Sequence, residues 1–401
     1  MSDAEGEYDG EEEETGTDGN VETEGEGVAD TIEPEPEDDR ATLGDAGDDK
    51  GATEGEEEKE NDEDKDEEEA KEEGEEEAKE EEEEEEKDPE MPLTEDMVGE
   101  CLSLLCKTGD GLAHAYVRFD AHEKELTDVS ILQSFIHLRY VDLSKNNLKD
   151  ISSLSYLTHL LTVKVDYNKL QSAKMEELPF LQSANFSNNR LKTTEGCSHP
   201  LLEHLIMNFN EIPMISGLEP ERLTRLHTLE LRGNRLTTTA GLNLPNLKNL
   251  FLAANQISKL EGLEKLGNLT TLHLRDNQLD KLDGFTEDLR SLQYINMRGN
   301  NVSSLKELNK LAVLPLIRAC VFSENPISDE GEYRLEVLTA LRRLERLDKD
   351  EFTEEERQEA QENYEQRKVE ELGQGHIVLA DGAPVLSTTA LFLQTLTHLD
   401  M

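Results

Sequence analysis

LTTLHLRDNQL, residues Leu269–Leu279, places one asparagine, Asn277, at the end of a run of leucines spaced as on a strand. Leu272 and Leu274 alternate with Thr271, His273 and Arg275, the period of two that sends side chains to opposite faces of an extended chain. A carboxamide there is out of place unless something buried requires it. The arrangement recurs in LRYVDLSKNNL from Leu138, LHTLELRGNRL from Leu226 and LKNLFLAANQI from Leu247.

Aligned on that residue, nine segments follow the pattern L-x-x-L-x-L-x-x-N-x-L with conservative apolar exchanges. Their asparagines are Asn146, Asn168, Asn189, Asn210, Asn234, Asn255, Asn277, Asn300 and Asn325, at successive spacings of 22, 21, 21, 24, 21, 22, 23 and 25 residues. Self-similarity at this period defines an α/β leucine-rich repeat solenoid, a curved parallel sheet with helical caps. Beyond each strand the chain turns inward and strands backbone groups in a dry interior, at roughly 1–3 kcal/mol for each one left unpaired. An asparagine amide has two donors and an acceptor, so one side chain can serve its own turn and the adjacent one. The nine are therefore expected to form a structural ladder. The other half of the repeat runs through Ile151, Leu154, Leu157 and Leu160, a spacing of three that predicts short 3₁₀ or extended returns. The same rhythm from Leu126 to Leu138, with Lys124 in place of asparagine, marks an atypical first repeat.

Terminal coils need covers. Residues 91–125 are expected to form the N-terminal cap, with TEDMVGECLSLLCKTG as a helix from N-cap Thr94 to a stop at Gly109. Its apolar face would be Met97, Cys101, Leu102, Leu104 and Leu105. The repeats span 126–327. Residues 328–371 are expected to cap the other end through Tyr333, Val337, Leu338, Leu341 and Leu344, continuing into a charged helix over about 353–371. Residues 372–401 are apolar and Thr-rich, without repeat pattern.

The net charge of −53 is concentrated at one end: residues 1–90 hold 47 Asp and Glu against 7 Lys and Arg. With Tyr8 as its single aromatic, that segment cannot bury enough apolar surface to offset ordering entropy, and disorder is expected. It could attract basic partners by its field, whereas a polyanion disfavours nucleic acid. MSDAEGEYDG has neither the basic nor the apolar region of a secretory signal, and no run approaches the ~20 apolar residues of a membrane span. Four cysteines, Cys101, Cys106, Cys197 and Cys320, make no C-x-x-C pair, which fits a reducing compartment. An intracellular, soluble chain without membrane contact is expected.

The period and the ending NPISDEGEYRLEVLTALRRLERLD resemble the intracellular repeat class typified by the regulatory subunit of protein phosphatase 1. A narrower resemblance covers about residues 91–365. PLTEDMVGECLSLLCKTGDGLAHAYVRF, FIHLRYVDLSKNNL, YLTHLL, LHTLELRGNRL, NLTTLHLRDNQL and SLQYINMRGN are similar to the family of leucine-rich repeat-containing protein 23. That family is associated with radial spokes of motile cilia and sperm flagella. The resemblance implies a non-catalytic scaffold of the axonemal spoke head, located in the cytoplasm and cytoskeleton of the cilium or flagellum, with other radial spoke head proteins as partners. Residues 372–401 depart from the acidic ending expected of the family. Two other readings stand beside it. One is an acidic histone-binding nuclear protein, although in such proteins the acidic block follows the repeats. The other is a phosphatase-targeting adaptor.

Positions three, five and seven of each repeat project from the sheet away from the core, onto a surface roughly 40 Å long. There Arg232, Arg275 and Arg298 share one row near Phe251, His273 and Tyr294. Arginine and aromatic residues dominate binding hot spots, so this cluster is the candidate partner site, against solvation or pairing within the protein. No cofactor or metal is expected, since Cys101 and Cys106 lack histidine partners and Cys320 takes a leucine position. No phosphate loop, nucleophile elbow or convergent acid–base set is present to support an enzyme.

Overall fold

The computed structural model describes residues 89–109 and 111–374. The acidic segment to residue 88 and the tail from residue 375 lie outside the described residues, and with them the readings made for both. Among the described residues a 13-stranded sheet runs in strict chain order from β1 to β13. Strands β2 (His114–Asp120) to β12 (Arg346–Leu347) are parallel, and antiparallel hairpins with β1 (Leu102–Lys107) and β13 (Asp350–Glu351) close the two ends.

From β3 (Tyr140–Asp142) to β11 (Ala319–Val321) each strand has three residues, and its central side chain is buried. The register repeats without slippage. In β9 (Thr271–His273), Leu272 lies opposite Leu250 of β8 (Asn249–Phe251) and Ile295 of β10 (Tyr294–Asn296). The leucines of one coil thus pack on those of the next in a continuous core from Leu93 to Ala360. Full burial of such a side chain is worth about 1.5–3 kcal/mol. The returns are 3₁₀ at Ser130–Ser134, Ser152–Tyr156, Leu263–Lys265 and Leu305–Val313, and irregular or extended elsewhere between the strands.

Asn277 shows how the coils are tied. Its Nδ2 donates to Leu274 O of its own turn (3.0 Å) and Leu252 O of the preceding one (2.9 Å), while its Oδ1 accepts from Ile257 N (3.0 Å). All nine asparagines are buried and bridge consecutive coils in this way, from Asn146 on Ala121 O to Asn325 on Met297 O. Asp348 lies outside this ladder: Leu347 is opposite Cys320, so Asp348 stands at the strand position of Val321 and closes the end of β11. Its Oδ1 accepts from Phe322 N (2.7 Å) and Ser323 N (2.8 Å), and its Oδ2 from the Tyr333 hydroxyl (2.7 Å).

The residue before each asparagine turns the chain with a left-handed backbone. Lys145, Tyr167, Asn188, Phe209, Gly233, Ala254, Asp276, Gly299 and Glu324 all have φ between +54° and +66°. Seven of these positions carry a side chain, at an intrinsic cost of roughly 1–2 kcal/mol each, and the ladder of hydrogen bonds holds them there.

The N-terminal cap differs from the expected helix. Thr94 does cap it, accepting from Met97 N at 3.4 Å, but the helix ends at Cys101. Leu102–Lys107 then forms β1, antiparallel to β2, across a turn in which Thr108 N donates to Ala113 O at 2.9 Å. A helix through Gly109 would leave the edge of β2 without hydrogen-bond partners, and the hairpin supplies them. In consequence Leu104 and Leu105 are exposed instead of facing the first coil, and Cys106 lies on a strand.

At the other end Tyr333, Val337, Leu338, Leu341 and Leu344 are buried as the cap, on and just after the helix Tyr333–Ala340. A second helix, Glu354–Gln374, starts with a capping box: Glu356 N donates to Thr353 Oγ1 and Thr353 N to Glu356 Oε2. It packs on the cap through Arg367, which donates to Glu336, and through Arg342, whose guanidinium lies 3.8 Å from the Tyr364 ring centroid.

Candidate functional site on the concave face

The parallel register lines up equivalent positions on neighbouring strands at about 4.8 Å. It therefore builds continuous rows from residues more than twenty apart in sequence. Four members of the predicted cluster meet on a diagonal across these rows, since Phe251 lies opposite His273 but Tyr294 lies opposite Thr271. The Arg232 guanidinium lies 5.4 Å from the Phe251 ring centroid. Phe251 stacks on His273 at 4.7 Å and 30°, and His273 meets Tyr294 at 5.2 Å and 46°. His273 is buried between its neighbours, while Arg232, Phe251 and Tyr294 keep part of their surface open. The rings form a rigid platform across the three strands β8 to β10. Offset and tilted aromatic contacts of this kind add about 0.5–1.5 kcal/mol per pair beyond their buried area.

Arg275 and Arg298 stand beside the platform with acidic neighbours. Arg275 Nε donates to Asp276 Oδ2 at 3.0 Å, and Arg298 Nη2 to Glu324 Oε1 at 2.5 Å. The Arg298 guanidinium holds the Glu324 carboxyl below its ordinary pKa. Asn208 braces the near end: its Nδ2 donates to Glu230 Oε2 (2.7 Å), and its Oδ1 accepts from Arg232 N (2.9 Å). The repeat period puts these arginines in one row, but their acidic neighbours lie at position eight of the same or the next repeat, outside the positions that mark this face in the sequence.

Toward the N-terminal end the face carries two carboxylates, Asp142 and Asp166, beside Lys164. Lys164 Nζ lies 3.6 Å from Asp142 Oδ2, and Asn185 Nδ2 donates to Asp166 Oδ1 at 3.2 Å. Burial pushes the Asp166 carboxyl above its ordinary range, with the charge of Asp142 adding to the shift. The concave surface thus changes from carboxylates near β3 and β4 (Thr162–Lys164) to arginines near β7 (Thr228–Glu230) to β10. Such a face can orient a protein partner along its length. Cys197 and Cys320 are poor nucleophiles: burial pushes Cys197 up to about 12 and raises Cys320 as well. No group of three metal-ligating side chains gathers among the described residues, and no described helix is long and apolar enough to cross a membrane.

A solenoid with an open, polar, aromatic-studded inner sheet defines a leucine-rich repeat protein, a class of protein-binding scaffolds. The leucine-rich repeat family model matches residues 222–376. Leucine-rich repeat-containing protein 23 of Homo sapiens is 54% identical over 269 residues, 67% of this chain and 78% of that protein. The Xenopus tropicalis protein of the same name is also 54% identical, over 70% of this chain and 81% of its own. The chain belongs to the leucine-rich repeat-containing protein 23 family. Among solved structures, an internalin (inlF) from Listeria monocytogenes aligns with a TM-score of 0.44 at 23% identity, over 56% of this chain and 71% of that one.

Proposed function

We propose that the chain is a non-catalytic scaffold of the axonemal radial spoke head, holding spoke components together through its concave face. Membership of the leucine-rich repeat-containing protein 23 family supports this reading, given the family's association with motile cilia and sperm flagella. The platform of Arg232, Phe251, His273 and Tyr294, flanked by Arg275 and Arg298, is the observation that carries it: fixed aromatic rings and arginines are what a protein hot spot requires. Other radial spoke head proteins are the partners, and the cytoskeleton of the cilium or flagellum is the location. Detergent extraction of sperm tests this. A spoke scaffold stays with the insoluble axoneme and leaves it only with the other spoke proteins. Recovery in nuclei with histones, or in the soluble fraction with a phosphatase, contradicts the reading.

A further inference from the structure

On the return side of the solenoid, away from the strands, three successive connections at 171–180, 192–200 and 213–222 lack the 3₁₀ turn. They surround a cleft of about 540 Å³. It is lined by Lys174 and Arg222, by the carboxylates of Glu176, Glu177, Glu195 and Glu219, and by one imidazole, His199. His199 is only 2% exposed. Leu178 N donates to its Nδ1 at 3.2 Å, so Nδ1 keeps a lone pair and the ring proton sits on Nε2. That Nε2 meets no acceptor among the described residues. Arg222 donates to Glu177, and these two charges are the ones that act on the imidazole.

We propose that this cleft is a second protein-docking site, which takes a basic, extended peptide segment of a partner. A backbone carbonyl of the peptide accepts from His199 Nε2, and a Lys or Arg side chain lies against Glu176, Glu195 and Glu219. The two features select the ligand together. A buried donor calls for a neutral acceptor, since a carboxylate would be repelled by the surrounding acids, and those acids call for a cation. A peptide unit with a basic side chain carries both within one residue. The Glu177–Arg222 pair parts to admit the carbonyl, and Glu177 then adds a fourth carboxylate for the incoming cation.

The site is tested by titrating the full chain with acetylated, amidated Gly-Lys-Gly-Arg-Gly while following the ring signals of His199 by NMR, assigned by comparison with His199→Gln. Parallel titrations use Gly-Glu-Gly-Glu-Gly and arginine amide. Saturable movement of the His199 signals with the basic peptide is expected. Affinity should fall about tenfold in the triple variant Glu176→Gln, Glu195→Gln, Glu219→Gln at unchanged Tm, because three exposed charge pairs are lost. Charge reversal of Arg232, Arg275 and Arg298 should leave this binding intact. The proposal is overturned if the His199 signals stay still, if the acidic peptide acts equally, if arginine amide binds as tightly as the peptide, or if the triple variant keeps full affinity.

Discussion

A carboxamide is the smallest side chain that can donate twice and accept once, and at Asn277 each capacity meets a different backbone group. Asn277→Ala leaves two carbonyls and one N–H in the interior. Unfolding in urea should show a loss on the order of 3 kcal/mol, well above that of a surface alanine substitution. His199 makes a second prediction at this scale. Burial, helped by the Arg222 charge, lowers its pKa from 6.5 to about 4. The unfolded chain therefore takes up a proton near pH 6.5 that the folded chain refuses until about pH 4. Stability falls as pH drops through that window, by roughly 3 kcal/mol, with no further loss from this group below it. His199→Gln should remove this component, so the difference between its denaturation profile and that of the native chain should change with pH only between those values.

At the scale of the element, the repeats were legible because one rigid requirement recurs. Three backbone groups at fixed positions need one amide, and any other residue would leave some of them unpaired. Where the requirement relaxes, the pattern fades. Beyond β11 a carboxylate suffices, and Asp348 accepts from two backbone N–H groups and a tyrosine hydroxyl without donating. The left-handed turn was hidden because Lys145, Tyr167 and Phe209 adopt it without glycine, held by the ladder. Leu102, Leu105 and Cys106 fit a helix or a strand equally well by spacing, and only the bare edge of β2 decides for the strand. Glycine is indispensable at Gly241. With φ +93°, a Cβ added there would lie 2.1 Å from Ile215 O of the preceding return. Gly241→Ala should lower stability by about 2–4 kcal/mol although the residue is exposed, and thermal unfolding measures it.

For the whole molecule, the ladder and the stacked leucines make the sheet a stiff arc, and the arc carries rows of side chains that no single repeat could assemble. The candidate site was legible in part. Period and register foretold that Arg232, Arg275 and Arg298 would share a face with Phe251, His273 and Tyr294. The ring-on-ring order of the platform and the ion pairs with Asp276 and Glu324 depend on side-chain conformations that the repeat pattern does not specify. These ion pairs are solvent-exposed, so they contribute at most about 1 kcal/mol each to folding and can be exchanged for contacts with a partner. The most direct measurement is quantitative capture of radial spoke head proteins from axonemal extract, comparing the native chain with Arg232→Glu, Arg275→Glu, Arg298→Glu. Capture at least about tenfold weaker, with Tm preserved, is the predicted result. Undiminished capture by the folded triple variant would contradict the account.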